Sequence, residues 1–176
     1  PKRPLAPYGI GKLTGEMYLR VLGETRDLKT TAFRFGNVFG ARQDPSGDGG
    51  VIAIFISRLL RGQHLPIFGD GLHQRDYIHV EDVARAFIVA TQERAHGTFN
   101  LSLGQGTTTL EVATLLCEAT GESAAQIQHI DERPGDIRNS VLSPERFRAR
   151  TTWGPQGDLA PGLASVVQWY RAQEDG

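Results

Sequence analysis

The sequence has little of what marks several classes of protein. It contains a single cysteine, Cys117, so no disulfide can form within the chain. Nineteen basic and twenty acidic residues give a net charge of -1, and no block of like charge suggests nucleic acid or a membrane surface as a partner. Its apolar runs are too short to span a membrane, and we find no signal peptide. These absences predict a cytoplasmic protein.

Two binding motifs are also missing. The histidines show no metal-ligand spacing, so we expect no metal site. A nucleotide-binding α/β fold normally opens with a strand and a Gly-rich turn into a helix. No G-x-G-x-x-G run is present: Gly9 and Gly11 lie inside the first predicted helix, and Gly104 and Gly106 are followed by threonines.

Predicted strands alternate with predicted helices along the chain. This alternation argues for an α/β fold with some parallel pairing. The apolar periodicity predicts helices at 8–22 (ended by Gly23), 51–60, 83–91 and 110–120, a short one from Pro144, and one at 159–172. Strands are predicted at 30–35, 65–68, 75–78, 98–101 and 126–130.

The stretch 67–83 (IFGDGLHQRDYIHVEDV) is central to the interpretation. It places a cation, Arg75, just after a Gly-rich turn and at the start of a predicted strand. A guanidinium group matches phosphate oxygens two at a time, so Arg75 is a candidate phosphate ligand. The alternative is an ordinary surface ion pair between Arg75 and Asp76, which would contribute little.

Five motifs in order connect the sequence to a known family. They are YGIGK at 8–12, RFGNVFGARQDP at 34–45, GDGLHQRDYIHV at 69–80, RPGD at 133–136, and the closing GL and WY at 162–163 and 169–170. Together they resemble the C-terminal half of an extended short-chain dehydrogenase/reductase, specifically the nucleotide-sugar epimerases typified by UDP-glucose 4-epimerase. The resemblance covers essentially the whole chain.

The resemblance also implies what is absent. Members of the family are longer, and their N-terminal half carries the Gly-rich NAD-binding turn and a catalytic Ser or Thr. By this resemblance, residues 1–50 are the remnant of the dinucleotide-binding domain. Residues 51–176 form mainly the nucleotide-sugar substrate-binding domain, with the chain crossing between the two.

Tyr8 and Lys12 are four residues apart, so both emerge from one face of a helix. Taken alone they are an exposed Tyr and a solvated Lys. The resemblance implies an acid/base pair that also contacts NAD, with the ammonium group lowering the pKa of the phenol. Tyr8 would take the proton of the sugar 4-hydroxyl while hydride passes from C4 to NAD. Hydride return to the other face of the 4-keto sugar would invert C4.

The resemblance assigns other positions to ligands as well. Phe35 would pack near the nicotinamide of NAD, although plain core packing is the alternative. Asn37 would donate its amide to a phosphate or sugar oxygen, the alternative being a turn-forming Asn. Val51 and Ile52 open a helix whose N-terminus can face a diphosphate.

The remaining substrate positions lie further along the chain. Arg75 and Arg133 would clamp the diphosphate, and Asp136 would bind the ribose hydroxyls. Tyr77 would lie near the sugar, and Ser140 would gate the hexose pocket so that N-acetylated sugars are admitted. The resemblance also places Pro66 and Phe68 around the uracil ring.

The sequence thus predicts part of an NAD-dependent UDP-hexose 4-epimerase, acting on UDP-galactose, UDP-glucose or their N-acetylated forms once an N-terminal half completes it. One alternative is a stand-alone UDP-sugar-binding module without redox activity. Another is a sister activity: a 4,6-dehydratase, reductase or decarboxylase. The strand at 30–35 would present an open edge, and Leu13 and Met17 form an apolar face, so we expect a homodimer or higher self-association.

Overall fold

The computed structural model describes residues 2–4, 6–46, 50–123, 127–132 and 135–174. The elements in chain order are α1 (Pro7–Arg26), β1 (Thr31–Phe35), β2 (Asn37–Phe39), α2 (Val51–Leu60), β3 (Leu65–Phe68), β4 (Gln74–Arg75), β5 (Tyr77–His79), α3 (Val80–Gln92), β6 (Gly97–Leu101), β7 (Thr107–Thr108), α4 (Thr109–Thr120), β8 (Ile127–Ile130), β9 (Asn139–Ser140), α5 (Glu145–Arg148) and α6 (Leu159–Glu174).

Strand pairing in the described chain is mostly parallel. β1 pairs with β6, β2 with β5, and β3 with β8, each in parallel register. The short β4 lies between β7, which is antiparallel to it, and β9, which is parallel. The predicted α/β class with parallel pairing is therefore confirmed.

Two clusters of buried apolar side chains hold these elements together. The first joins α2, β3, α4 and α6, with Ile56, Leu65 and Leu116 fully buried. The second joins β5, β6, α3 and α5 around Ile78 and Phe147. No helix in the described part of the chain has the length and apolar character needed to cross a bilayer. The predicted domain boundary near residue 50 stays a prediction.

Helix α1 is longer than its sequence predicts. Gly23 was expected to end it, but the helix continues to Arg26 and ends where Asp27 takes a left-handed conformation with φ 49°. Gly23 serves packing instead, because a Cβ at that position would lie 3.0 Å from the Leu28 carbonyl oxygen. No residue of α1 is buried, so most of its apolar side chains, Met17 and Tyr18 among them, face outward.

Helix α4 begins with a reciprocal cap. The Thr108 hydroxyl accepts a hydrogen bond from the Glu111 backbone N–H at 3.1 Å, and the Glu111 carboxylate accepts one from the Thr108 backbone N–H at 2.7 Å. This capping box satisfies two of the otherwise unpaired N–H groups of the helix start. It fixes the junction at which β7 passes directly into α4.

Gly36 carries a testable packing constraint between β1 and β2. A Cβ at this position would lie 2.6 Å from the Asp76 carbonyl oxygen and 3.3 Å from Ser102 Cβ. That carbonyl already accepts the Asn37 backbone N–H at 2.6 Å, so the backbone cannot yield easily. We expect Gly36→Ala to lower the free energy of unfolding by about 1–3 kcal/mol in urea denaturation.

Gly11→Ala is the matched control for this effect. A Cβ at Gly11 meets nothing within 4 Å, and the position lies inside α1. Alanine has the higher helix propensity, so this variant should gain up to about 1 kcal/mol. Equal losses in the two variants would contradict the packing argument for Gly36.

An ion pair docks α1 on β1 and makes the contact sensitive to acid. Arg34 donates to the two Glu16 carboxylate oxygens at 2.8 and 2.6 Å, and Lys2 also contacts this carboxylate. The hydrogen bond from Arg34, followed by that from Lys2, lowers the pKa of Glu16 from 4.5 to about 2. Because the pKa of Glu16 is lower in the folded than in the unfolded state, the ionised carboxylate contributes its full stabilisation above the unfolded-state pKa. This stabilisation is lost as the pH falls towards 2.

We therefore expect the melting temperature to fall between pH 4.5 and pH 2, and to fall less steeply in Glu16→Gln. Thermal melts followed by circular dichroism at successive pH values measure this difference. Parallel pH profiles for the wild type and the Gln variant would show that Glu16 does not contribute.

Candidate functional site

Arg75 is held by three contacts at one side of a cleft. Its Nη2 donates to the Asp136 carboxylate at 2.7 Å, and its Nη1 donates to the carbonyl oxygens of Ile137 at 2.5 Å and Gln74 at 2.9 Å. The Arg75 side chain is 19% exposed. The guanidinium group is therefore oriented by its surroundings and still reachable from the cleft.

Asp76 does not form the ion pair with Arg75 that the sequence offered as an alternative. Its carboxylate is fully buried and accepts the backbone N–H groups of Leu103 at 2.9 Å, Gly104 at 3.0 Å and Leu142 at 3.2 Å. Adjacent residues of an extended chain point to opposite faces. Asp76 consequently ties the end of β6 and the segment after β9 to the segment that carries Arg75.

The cleft beside Arg75 has a volume of about 750 Å³. It collects ligand positions that lie far apart in the sequence, on β2, on the first turn of α2, on β3, and around β4 and β5. The predicted ligand residues that line it are Asn37, Val51, Pro66, Phe68, Arg75, Tyr77 and Asp136.

Several further residues of the cleft were missed by motif reasoning. Arg58 and Arg61 extend from the end of α2, and His73 adjoins β4. Positions 51, 54, 58 and 61 are spaced so that they share one face of a helix. Since Val51 was already a predicted ligand, this spacing could have identified both arginines from the sequence. The sequence predicts the helix at 51–60 from its apolar residues alone, and this face was therefore overlooked.

Tyr77 forms an inner wall of the cleft. The residue is 3% exposed, and burial raises the pKa of its hydroxyl to about 12, an effect that the nearby Arg75 charge partly offsets. The phenol is therefore neutral at physiological pH. Its hydroxyl oxygen is buried and has no hydrogen-bond partner among the described residues.

Three predicted ligand residues are not part of the described cleft. Ile52 is 2% exposed and packs in the first core cluster, since it faces inward on α2. Ser140 pairs with Arg75 across β9 and β4, and its carbonyl oxygen accepts the Asp76 N–H at 3.1 Å. Arg133 lies outside the described residues. Their ligand roles stay predictions.

The predicted acid/base pair lies apart from the cleft. Tyr8 is 76% exposed, and Lys12 Nζ lies 5.2 Å from the centre of its ring, within cation–π range. Phe35 is half exposed and packs against Phe33 and Phe87. None of Tyr8, Lys12 and Phe35 lines the cleft.

The residues of this chain fit only part of an NAD site. The Tyr8–Lys12 pair and the Phe35 ring are accessible to a flat cofactor ring, since α1 buries no side chain and Phe35 on β1 is 44% exposed. The sequence has no Gly-rich turn that would bind the pyrophosphate of a dinucleotide.

The parallel α/β pairing defines a Rossmann-like protein, and its largest described cleft is lined by arginines. Comparison with known proteins then gives the family. The model of the NAD dependent epimerase/dehydratase family matches residues 1–102, and the chain belongs to that family. The membership predicted from its motifs is confirmed.

Two relatives act, by name, as epimerases. The chain is 41% identical over 172 residues to the UDP-glucose 4-epimerase of Mycolicibacterium smegmatis, covering 97% of this chain and 55% of that protein. The structure of the Thermotoga maritima UDP-glucose 4-epimerase with UDP-glucose superposes with a TM-score of 0.91 at 40% identity, over 98% of this chain and 55% of that one.

A dehydratase is similar as well. The dTDP-glucose 4,6-dehydratase of Bacillus anthracis, in complex with NAD, matches with a TM-score of 0.89 at 27% identity, over 99% of this chain and 55% of that one. The chain spans about half the length of the curated relatives it matches. This coverage agrees with the prediction that it corresponds to one half of an extended short-chain dehydrogenase/reductase.

Proposed function

We propose that the chain is the substrate-binding and acid/base portion of an NAD-dependent UDP-hexose 4-epimerase. One observation carries the proposal: seven predicted nucleotide-sugar ligands, from six separate elements or segments, line a single cleft. The lining includes the predicted phosphate ligand Arg75 and the predicted ribose ligand Asp136. Such convergence supports a common ligand better than any one motif does.

The charges of the cleft suit a nucleoside diphosphate. Arg58, Arg61 and Arg75 line it, and Asp136 is the one carboxylate among the described lining residues. In this structure the Asp136 carboxylate accepts a hydrogen bond from the Arg75 guanidinium group at 2.7 Å. A diphosphate would therefore compete with that carboxylate for Arg75. Asp136 would then be available to accept hydrogen bonds from a ribose diol.

The other walls suit the base and the sugar. Pro66 and Phe68 on β3 are half-buried and line the cleft, where they can pack on a planar pyrimidine. Asn37 follows β1 and can donate its amide to a phosphate or sugar oxygen. The base would be uracil and the hexose galactose, glucose or an N-acetylated form, the last if Ser140 gates the hexose pocket.

For the chemistry we assign proton transfer to Tyr8, with Lys12 stabilising its phenolate. NAD, when bound, would supply the hydride acceptor and donor at C4. Tyr8 is 76% exposed and does not line the cleft.

A conversion assay tests the proposal. The chain is supplied with NAD and UDP-galactose, and formation of UDP-glucose is followed, with and without added N-terminal halves of relatives. We expect turnover only in the complemented mixture, and Tyr8→Phe should lower it by about two orders of magnitude or more. Turnover unaffected by Tyr8→Phe would refute the assignment of the proton transfer.

A binding module without redox chemistry is the second candidate. The exposure of Tyr8, and its position outside the cleft, favour it. This candidate predicts UDP-sugar binding by the chain together with no conversion in any mixture. A 4,6-dehydratase, which the similarity to that class also allows, would instead release a 4-keto-6-deoxy sugar nucleotide.

Self-association is proposed through α1. Of the two residues predicted for this contact, Met17 is exposed and Leu13 is half-buried, and Tyr18 and Val21 of the same helix are also exposed. We also retain the division into residues 1–50 and 51–176 as part of the proposal. Sedimentation of the chain over a range of concentrations tests the first point: a monomer throughout would contradict it.

A further inference from the structure

Two polar side chains of the cleft have no role in the site described so far. They are Ser57 on α2 and His73 in the segment that precedes β4, and both line the cavity. Ser57 is 8% exposed and His73 is 5% exposed. A polar side chain buried to this extent normally has a hydrogen-bond partner, so each of the two needs one.

Neither side chain has that partner among the described residues. No described group donates to or accepts from the Ser57 hydroxyl, and the same holds for Nδ1 of His73. Both atoms also differ from the hydroxyl oxygen of Tyr77, which is fully enclosed and unpartnered in the described part of the chain. The Ser57 and His73 atoms are open to the cavity that their residues line, so a ligand in the cleft can reach them.

His73 is held in place beside the end of β3. Its Nε2 lies 3.5 Å from a Glu132 carboxylate oxygen, and its backbone carbonyl oxygen accepts the Thr109 N–H at 3.1 Å. A Cβ at Gly69 would lie 3.4 Å from Glu132 Cβ, so Glu132 adjoins the residue that follows Phe68. The carboxylate favours the tautomer with the proton on Nε2. Nδ1 of the neutral ring is then a hydrogen-bond acceptor.

The same cavity has an apolar wall on β3. Leu65 and Ile67 are buried in the core, whereas Pro66 and Phe68 alternate with them along the strand and line the cleft. A flat pyrimidine ring can pack its face on this wall. Its polar edge then needs hydrogen-bonding groups from the rest of the lining.

The polar edge of uracil complements an acceptor together with a donor. Its N3 carries a proton and lies between two carbonyl groups. Nδ1 of His73 can accept the N3 proton, and the Ser57 hydroxyl can donate to a carbonyl oxygen. Cytosine has no proton at N3, so its N3 lone pair would face the lone pair of Nδ1. A site built to bind a ligand N–H rejects the analogue that lacks it.

We propose that His73 makes the cleft specific for uracil over cytosine by accepting the N3 proton, and that Ser57 binds a carbonyl oxygen of the same base. This inference rests on the proposed function, because that function places a UDP-sugar in the cleft. It adds the side chains that recognise the base. Neither residue belongs to the acid/base pair assigned to Tyr8 and Lys12.

Calorimetric titration with UDP and with CDP, at about pH 8 where an ordinary imidazole is neutral, tests this inference. We expect the wild-type chain to bind UDP at least about tenfold more tightly than CDP. His73→Phe keeps a ring but has no acceptor, so it should remove the preference. Ser57→Ala should weaken both nucleotides about five- to tenfold and keep the preference, since a hydroxyl can also accept from the cytosine amine.

The controls separate recognition of the base from folding. His64→Phe makes the same change at an exposed histidine outside the described lining and should leave both affinities unchanged. Melting temperatures verify that all variants fold. UDP methylated at N3 gives a test without any variant. It has no N3 proton, so the wild type should bind it at least about tenfold more weakly than UDP.

The possible failures of the inference and of the proposed function are distinguishable. Equal affinities of the wild type for UDP and CDP would overturn the inference alone, as would a preference that His73→Phe retains. Equal affinities for UDP and its N3-methylated form would also overturn it. Absence of UDP binding by the wild type would overturn the proposed function and the inference together.

Discussion

Arg75→Ala should weaken the binding of UDP-galactose about 100-fold. Truncating one partner of a partly buried, hydrogen-bonded charge pair costs about 2–5 kcal/mol of binding energy. In the proposed complex the diphosphate is the partner of Arg75, whose guanidinium group is held in place by two carbonyl oxygens and whose side chain is 19% exposed. Isothermal titration calorimetry of the two proteins gives the ratio of dissociation constants.

Two further variants make this result specific. Arg150→Ala removes the same charge from a residue outside the cleft and should leave the affinity unchanged. Arg75→Lys keeps the charge but not the planar fork, so its affinity should fall between those of the wild type and Arg75→Ala. Equal affinity in Arg75→Ala and Arg150→Ala would show that the ligand does not use the Arg75 guanidinium.

Asp76→Ala should destabilise the fold by about 3 kcal/mol or more. The substitution leaves three backbone N–H groups, those of Leu103, Gly104 and Leu142, without their acceptor. Each buried donor left unsatisfied costs about 1–3 kcal/mol. Because domains are stable by only about 5–15 kcal/mol, this single change removes a large share of the total. Urea denaturation followed by fluorescence measures it.

Asp76→Asn keeps one acceptor oxygen and should lose less than Asp76→Ala. Its amide nitrogen cannot accept from either Gly104 or Leu142, so part of the loss remains. Asp136→Asn, at a more exposed carboxylate, is the control for charge removal and should change stability by less than about 1 kcal/mol. A loss below about 0.5 kcal/mol in Asp76→Ala would contradict the role of this carboxylate.

Local periodicity was sufficient for much of the fold. The predicted helix at 51–60 and strand at 65–68 agree with α2 and β3, because their apolar residues are dense and Gly62 and Gly69 follow them. The end of α1 was placed too early, because a glycine was interpreted as a stop signal. Its lack of a side chain instead serves the close approach of the Leu28 carbonyl oxygen.

Pairings across the chain were harder to predict. Asp76 is the carboxylate nearest to Arg75 in sequence, yet Arg75 pairs with Asp136, 61 residues away. Side chains alternate between the two faces of an extended segment, so Arg75 and Asp76 point apart. The sequence alone could therefore have excluded a pair between them. The acceptor role of Asp76 was not, since its three N–H donors come from loops whose positions depend on the whole fold.

Sequence motifs predicted part of the cleft lining, and the structure shows further residues in it. Seven predicted ligands meet in one cleft, whereas Arg58 and Arg61 join them through the helical face that begins at Val51. Tyr8 and Lys12 were correctly placed on one helix, but the relation of that helix to the cleft depends on packing that the sequence pattern does not encode.

We infer that the cleft beside Arg75 binds a nucleotide sugar. Calorimetric titration of the wild-type chain with UDP-galactose, set beside a titration with NAD, tests it most directly. We expect saturable heat with one UDP-galactose per chain and much weaker heat with NAD, since this sequence has no Gly-rich dinucleotide turn. Heat with NAD and none with UDP-galactose would show that the cleft is not a nucleotide-sugar site.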